Sequence, residues 1–348
     1  MDAKSSALIG KRVVFKEKGL VAAEDFEIKE PEQSQVLVRT VSTLISPGTE
    51  TAFLMALPNT TGKFPMYPGY SNAGVVAAVG SKTSKFKVGD RIVSRRNHAS
   101  YVVADEDDLI RIPEGLSFDE ASFFALGSIA LQGVRKASIE LGESVIVLGQ
   151  GLVGNLALQL AKLSGGMPVM GADMYDYRLG ISQKCGADHV YNPSRVDLKE
   201  AVKDATDGKS AEVVIEATGN PEAISTALEL AGKYGRVIIL GSPRGTTEVN
   251  FYSTVHKKGV SIIGAHEDMR PRYESSHGWW TGRDESSLVV KLIGRGLLKV
   301  RDLMTVKMSF RRAAEAYKRL IESKNDTLGI ILDWKRENLE RQDIPPEF

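Results

Sequence analysis

The sequence predicts an α/β protein: an irregular β-rich block followed by a doubly wound parallel sheet. Three observations lead there. Short β-type runs broken by glycine fill Val36 to Val103, and apolar strands alternate with helices from Ser144 to Gly264. The first strand of that series runs straight into Gly149-Gln150-Gly151-Leu152-Val153-Gly154 and a helix.

Along the chain, Val36–Val41 and Gly74–Gly80 are strands of the first block, rich in β-branched residues and punctuated by glycine. After Pro113 the spacing turns helical, from Asp119 to Glu140, and puts a boundary near residue 127. The second block reads as strands at Ser144–Gly149, Pro168–Asp173, His189–Tyr191, Glu212–Ala217, Arg236–Gly241 and Gly259–Gly264. Helices lie between them at Leu152–Leu163, Arg178–Lys184, Leu198–Ala205 and Pro221–Ala231. Short apolar strands with helices between them need a sheet covered on both faces. Ala265–Gly282 has no period and reads as a loop. Beyond it come amphipathic helices at Ser286–Gly296 and Phe310–Ser323, a strand at Leu328–Leu332, and a charged, solvated tail at Arg336–Phe348.

Composition narrows the function classes. A chain of 348 residues is long enough for about two domains. Lys and Arg number 45 against 44 Asp and Glu, so no basic surplus exists to neutralise a phosphate backbone, and nucleic acid is not an expected partner. No apolar run approaches the ~20 residues of a membrane span, and Met1–Gly10 lacks the apolar core of a signal peptide. The expectation is a soluble cytoplasmic protein acting on a small molecule. A single cysteine, Cys185, excludes an intrachain disulfide and every zinc site that needs two thiolates; it reads as structural.

The glycine loop has the order of a dinucleotide-binding (Rossmann) unit. Gly149 permits the tight turn, Gly151 lets a pyrophosphate approach the backbone, and Gly154 lets helix pack closely on strand. The helix start, at Leu152 and Val153, offers unpaired N–H groups to the phosphates. Asp173 ends the next strand, 24 residues after Gly149, where a carboxylate accepts both ribose hydroxyls of NAD and repels the 2′-phosphate of NADP. NAD is therefore expected over NADP. Arg178 either pairs with Asp173, lies along the adenosine, or receives a 2′-phosphate.

These residues resemble the medium-chain dehydrogenase/reductase superfamily, the alcohol dehydrogenase-like proteins, over nearly the whole chain. Gly69, Gly74 and Gly80 are spaced as in that family's zinc signature, and Gly89-Asp90-Arg91 follows. The resemblance implies a Rossmann domain at 128–264, inserted in a GroES-like catalytic domain made of 1–127 and 265–348. It also implies an active site between the two, and a homodimer or homotetramer that pairs through the edge of the cofactor sheet. Further cofactor contacts are expected at Ala217-Thr218-Gly219, Leu240-Gly241-Ser242 and Ala265-His266.

Where the zinc enzymes have Gly-His-Glu, this chain reads Gly69-Tyr70-Ser71; where they have a Cys-Gly-Thr-Asp type run, it reads Pro47-Gly48-Thr49-Glu50. Leu126–Ser128, the expected place of the third ligand, has no Cys, His or carboxylate, and the four-cysteine lobe is absent. No zinc is expected. Ser46-Pro47-Gly48-Thr49-Glu50, Pro68-Gly69-Tyr70 and the glycine loop are similar to a branch that includes the hydroxyethyl bacteriochlorophyllide dehydrogenases.

Without zinc, other donors must stabilise the developing oxyanion. Thr49 matches the family's proton-relaying hydroxyl, and Tyr70 either donates a hydrogen bond to the substrate oxygen or, with a lowered pKa, acts as acid or base. Glu50 and His98 are further catalytic candidates, each with an ordinary structural alternative. Trp279 and Trp280 either stack on a sugar or cyclitol ring or serve as packing anchors. The expected activity is a zinc-independent, NAD-dependent dehydrogenase of a secondary alcohol or its ketone, such as a polyol, sugar or cyclitol. The alternatives are a quinone or enone reductase and a non-catalytic dinucleotide-binding protein.

Overall fold

The structure, a computed structural model, describes residues 8–335. The expected tail at Arg336–Phe348, and all but the last three residues of Met1–Gly10, lie outside the described residues.

The first block comprises β1 (Ile9–Glu17), β2 (Leu20–Glu27), β3 (Gln35–Leu44), α1 (Pro47–Leu54), β4 (Asn72–Val79), β5 (Arg91–Ser94), β6 (Tyr101–Asp105) and β7 (Ile110–Arg111). Two helices follow, α2 (Phe118–Ala121) and α3 (Phe124–Ala137). The second block runs β8 (Val145–Leu148), α4 (Leu152–Leu163), β9 (Val169–Ala172), α5 (Asp176–Cys185), β10 (His189–Tyr191), α6 (Leu198–Ala205), β11 (Ala211–Glu216), α7 (Glu222–Leu230), β12 (Ala231–Ile239) and β13 (Ser261–Gly264). The chain closes with α8 (Gly282–Gly294), β14 (Met304–Ser309), α9 (Ala313–Glu322) and β15 (Gly329–Asp333).

Strands β8 to β13 form one six-stranded parallel sheet in the order β10-β9-β8-β11-β12-β13. Counting from β8, this is the 3-2-1-4-5-6 order of a doubly wound dinucleotide fold, whose switch point lies between β8 and β11. Val145, Ile146 and Val147 are fully buried, as a central strand covered on both faces requires. The seven remaining strands outside the β1-β2 hairpin make a second sheet, β14-β15-β3-β4-β5-β7, with β6 on β3. The return of the chain is built into it: β15 pairs antiparallel with β3, Ile331 opposite Leu44.

The helical stretch expected over Asp119–Glu140 is two helices. Ser117 and Glu120 form a reciprocal capping box that starts α2, and α3 ends where Ser138 turns left-handed at φ 46°. The expected divide near residue 127 falls inside α3, which runs unbroken; a Cβ at Gly127 would lie 2.5 Å from Val289 of α8. Helix α8 starts earlier than the periodicity indicates, because Thr281 caps it at Asp284.

One core joins the two sheets. Leu44, Ala73 and Val93 share it with Val145, Leu152 and Ile215. At the rim, Asn59, beyond α1, donates to the Pro243 carbonyl at 2.8 Å, and Arg244 donates to the Asn59 carbonyl at 3.3 Å. These bonds bring the end of α1 to the carboxyl end of β12. Among the described residues no helix is long and apolar enough to cross a membrane.

Candidate active site

The cofactor half is built largely from backbone. Gly149 has φ +85°, and a Cβ on it would press on Thr218 at 2.9 Å. A Cβ on Gly154 would sit 1.8 Å from the Gly149 carbonyl oxygen, so only glycine lets α4 start this close to the loop. Gly151 differs: a Cβ there meets nothing within 4 Å, so the backbone stands open to a ligand. Gly151 also gives α4 no side-chain cap, which leaves the first-turn N–H groups at Leu152 and Val153 for an anion.

Asp173, 8% exposed, accepts from the Gln150 N–H at 2.7 Å and from the Tyr175 N–H at 2.9 Å, one bond to each oxygen. A carboxylate has about four acceptor sites, so lone pairs remain for a ribose. Arg178 lies 3.7 Å from Asp173 and packs over the Tyr175 ring. Of the three placements open to it, the structure shows the pairing with Asp173.

The later strand ends converge on the same crevice. The Thr218 N–H donates to Glu216 at 2.6 Å, and a Cβ on Gly241 would come within 2.5 Å of the Gly219 nitrogen. A Cβ on Gly219 would lie 3.0 Å from the Ser242 carbonyl oxygen. Leu240 packs on Gly133, and Ala265 bonds back to Ile239. The His266 carbonyl accepts from Gln132 at 2.9 Å, while its ring is largely exposed beside Asp268. The Ala217 N–H donates to the Leu148 carbonyl, which ties the end of β11 to the loop strand.

The other half is built from side chains. Tyr70 is half-buried and donates to the Ser46 hydroxyl at 2.6 Å, with the Thr49 hydroxyl beside it. Burial pushes its phenol up to about 12. This closes one branch of the expectation: a phenol raised by desolvation is a neutral hydrogen-bond donor, not a lowered-pKa base. Glu50 and His98 lie behind this group, 3% and 0% exposed. Glu50 accepts from the Ser46 N–H at 2.8 Å, pairs with His98 Nε2 at 3.0 Å, and receives the Tyr317 hydroxyl. Burial and the Glu50 charge hold Tyr317 well above the usual phenol range, so it donates. Gly69, at φ +101°, lies directly over the His98 ring, where a Cβ would be 2.7 Å away. Neither Glu50 nor His98 presents its side chain to solvent; together they anchor the start of α1.

The tryptophans lie elsewhere. The Trp280 ring is covered by the Arg135 guanidinium at 3.9 Å, and Trp279 faces Lys136 at 5.3 Å. Both cations sit near the end of α3, ~13 Å along the axis from Leu126 at 1.5 Å per residue. A cation thus lies on one face of each ring, as for a packing anchor, while Trp279 remains half-exposed.

The residues do not fit a zinc ion. Tyr70 is neutral and bonded to Ser46, Leu126 is buried, and no group of three His, Cys, Asp or Glu able to hold a metal exists among the described residues. Cys185 is buried in α5, and its thiol is pushed up to about 11 by that burial.

Sequence reasoning passed over Arg95, Glu267 and Tyr317. Arg95 follows β5 directly and pairs with Glu267 at 2.5 Å across 172 positions. The available signal was the charge pair Arg95-Arg96 at the end of a strand, which nothing local explains.

Comparison with known proteins agrees with this architecture. Residues 32–130 match the alcohol dehydrogenase GroES-like domain, and residues 153–279 match the zinc-binding dehydrogenase family. The chain is 24% identical to sorbitol dehydrogenase of Bacillus subtilis over 299 residues, covering 77% of this chain and 81% of that protein. It is 32% identical to quinone oxidoreductase of Sus scrofa over 247 residues, covering 69% and 74%. Among solved structures, a short chain alcohol dehydrogenase of Escherichia coli CFT073 complexed with NADH superposes with a TM-score of 0.80 at 20% identity, over 93% of this chain and 99% of that one.

Proposed function

The chain belongs to the medium-chain dehydrogenase/reductase superfamily, and from that premise we propose that it is an NAD-dependent, zinc-independent dehydrogenase. Its substrate is a secondary alcohol or the matching ketone, in the class of polyols, sugars and cyclitols. The reading is carried by one juxtaposition: a glycine loop with Asp173 for the dinucleotide, and hydroxyls rather than ligands at Ser46, Thr49 and Tyr70.

The residues fit a nicotinamide dinucleotide. The Gly151 backbone and the start of α4 take the pyrophosphate, Asp173 the ribose hydroxyls, and the ends of β11 and β12 the remainder of the crevice. NAD, when bound, supplies the hydride acceptor. Thr49, partly open to solvent, then takes the substrate hydroxyl proton as it gives its own to water, and Tyr70, staying neutral, keeps its hydrogen bond to Ser46 beside it. Glu50, His98 and Tyr317 are positioning residues that fix Ser46 and the first turn of α1. The protein works in the cytoplasm as a homodimer or homotetramer joined along β13, an edge strand on which Ile262 is 42% exposed.

The test is nicotinamide absorbance with NAD and a panel of polyols, sugars and secondary alcohols in the presence of EDTA. Turnover that survives EDTA is expected; turnover lost with a bound metal overturns the zinc-free reading. The 32% identity to a quinone oxidoreductase favours a second reading, a quinone or enone reductase. Preference for NADPH with an enone substrate would establish it in place of the first.

A further inference from the structure

We propose that the Arg95 guanidinium is the charged group that stabilises the substrate oxyanion, in the role a metal holds in zinc-dependent relatives. This inference rests on the metal-free dehydrogenase reading and deepens it. Arg95 lies one residue beyond Ser94, which pairs with Asn72 at the start of β4, so its backbone leaves the sheet beside the segment that carries Tyr70. Its Nη1 bonds Glu267 at 2.5 Å, and its Nη2 approaches the Ala125 carbonyl at 3.5 Å, next to the segment where a third ligand is expected. Glu267 raises the Tyr70 phenol through its charge, which puts carboxylate, guanidinium and phenol in one electrostatic neighbourhood. Arg95 thus lies beside two of the three segments where the zinc-dependent relatives carry ligands, the one with Tyr70 and the one that starts at Leu126.

The charge of Arg95 is only half spent. Glu267 is divided between Arg95 and Arg270, the latter at 3.4 Å. Arg270 is 7% exposed at its side chain and already engaged by Glu285 at 2.8 Å and the Ser128 carbonyl at 2.9 Å. The next cations along α3 are also taken: Arg135 lies over Trp280, and Lys136 bonds the Gly264 carbonyl at 3.0 Å. Arg95 keeps a side chain 32% exposed and five donors of which two are used here. Charge-assisted donors aimed at an oxygen strengthen as that oxygen gains charge. In the reaction the C–H hydride goes to the nicotinamide, and the O–H proton passes through the Thr49 hydroxyl to solvent. Arg95 transfers nothing; it bonds the oxygen while the negative charge is on it.

Acetate, whose carboxylate oxygen mimics the oxyanion, is the probe, titrated calorimetrically into the NAD-loaded full chain with metal content measured before and after EDTA. We expect wild type to bind acetate equally with and without EDTA. Arg95→Ala should bind it ~10–100-fold more weakly at unchanged NAD affinity, the cost of losing a hydrogen bond to a charged group, with Arg95→Lys between the two. Arg95→Gln, which keeps the length of the side chain, gives the same reading if the alanine variant fails to fold. Equal acetate binding by Arg95→Gln and wild type, or no acetate binding by metal-free wild type, overturns the inference alone. Binding that disappears with a stoichiometric metal on EDTA treatment overturns the metal-free reading, and this inference with it.

Discussion

In the six-stranded sheet the cofactor crevice is made largely of backbone, whereas the hydroxyl cluster beside the seven-stranded sheet is made of side chains drawn from distant segments. The Gly149–Gly154 loop works through what glycines omit: a Cβ 1.8 Å from a carbonyl at Gly154, open space at Gly151. The Tyr70 cluster works through what side chains add, with Ser46, Thr49 and Glu50 on one loop and helix, His98 beyond β5, and Tyr317 on α9. The difference teaches where each region tolerates change. A backbone cradle fails when atoms are added, and a side-chain cluster fails when they are removed.

The largest effect should come from adding atoms to the cradle. Gly154→Val must push α4 away from the loop, and we expect NADH binding, followed by fluorescence titration, to be lost together with ~3 kcal/mol or more of stability in urea. If Gly154→Val bound NADH normally, the contrast between the two regions would collapse. Removing one oxygen from the cluster comes next: Thr49→Val should lower kcat by ~10²–10⁴ while leaving the NADH titration unchanged.

Asp173→Ala sharpens the comparison within the crevice, because it removes a side chain from a backbone site. We expect NAD affinity to fall ~10–100-fold and the preference over NADP to shrink, since the carboxylate both bonds the ribose and repels a 2′-phosphate. An unchanged NAD to NADP ratio would mean that Asp173 serves only the Gln150 and Tyr175 N–H groups.

The smallest effect belongs to pH. Because the Tyr70 pKa is raised to about 12, the phenol keeps its proton at every pH where the unfolded chain keeps it. Any stability this gives is therefore present below pH ~10 and lost as pH rises toward ~12. The kcat profile from pH 6 to 10 should show no limb that Tyr70→Phe abolishes. Such a limb would show the phenol acting as a base and would move Tyr70 back among the titrating groups.

The cofactor region was legible because its signal is local. Strand, glycine loop, helix and acid follow one another from Val145 to Asp173, and their order alone implies the crevice. The Tyr70 region was legible only in part. Thr49, Glu50, Tyr70 and His98 could be picked out, but their arrangement could not: the Glu50 carboxylate also takes a bond from Tyr317, 267 positions away. The cations beside Trp279 and Trp280 were hidden for the same reason, since they lie on α3, more than a hundred residues earlier.

By itself the sequence determined the two-block α/β architecture and the parallel cofactor sheet, because glycine position and apolar period are properties of short stretches. Tertiary structure alone decided which titratable groups are enclosed, that Tyr70 is a neutral donor, and that Arg95 shares Glu267 with Arg270. Burial and charge pairing depend on what the rest of the chain brings alongside, and desolvation, not residue identity, sets which protonation state a buried group adopts.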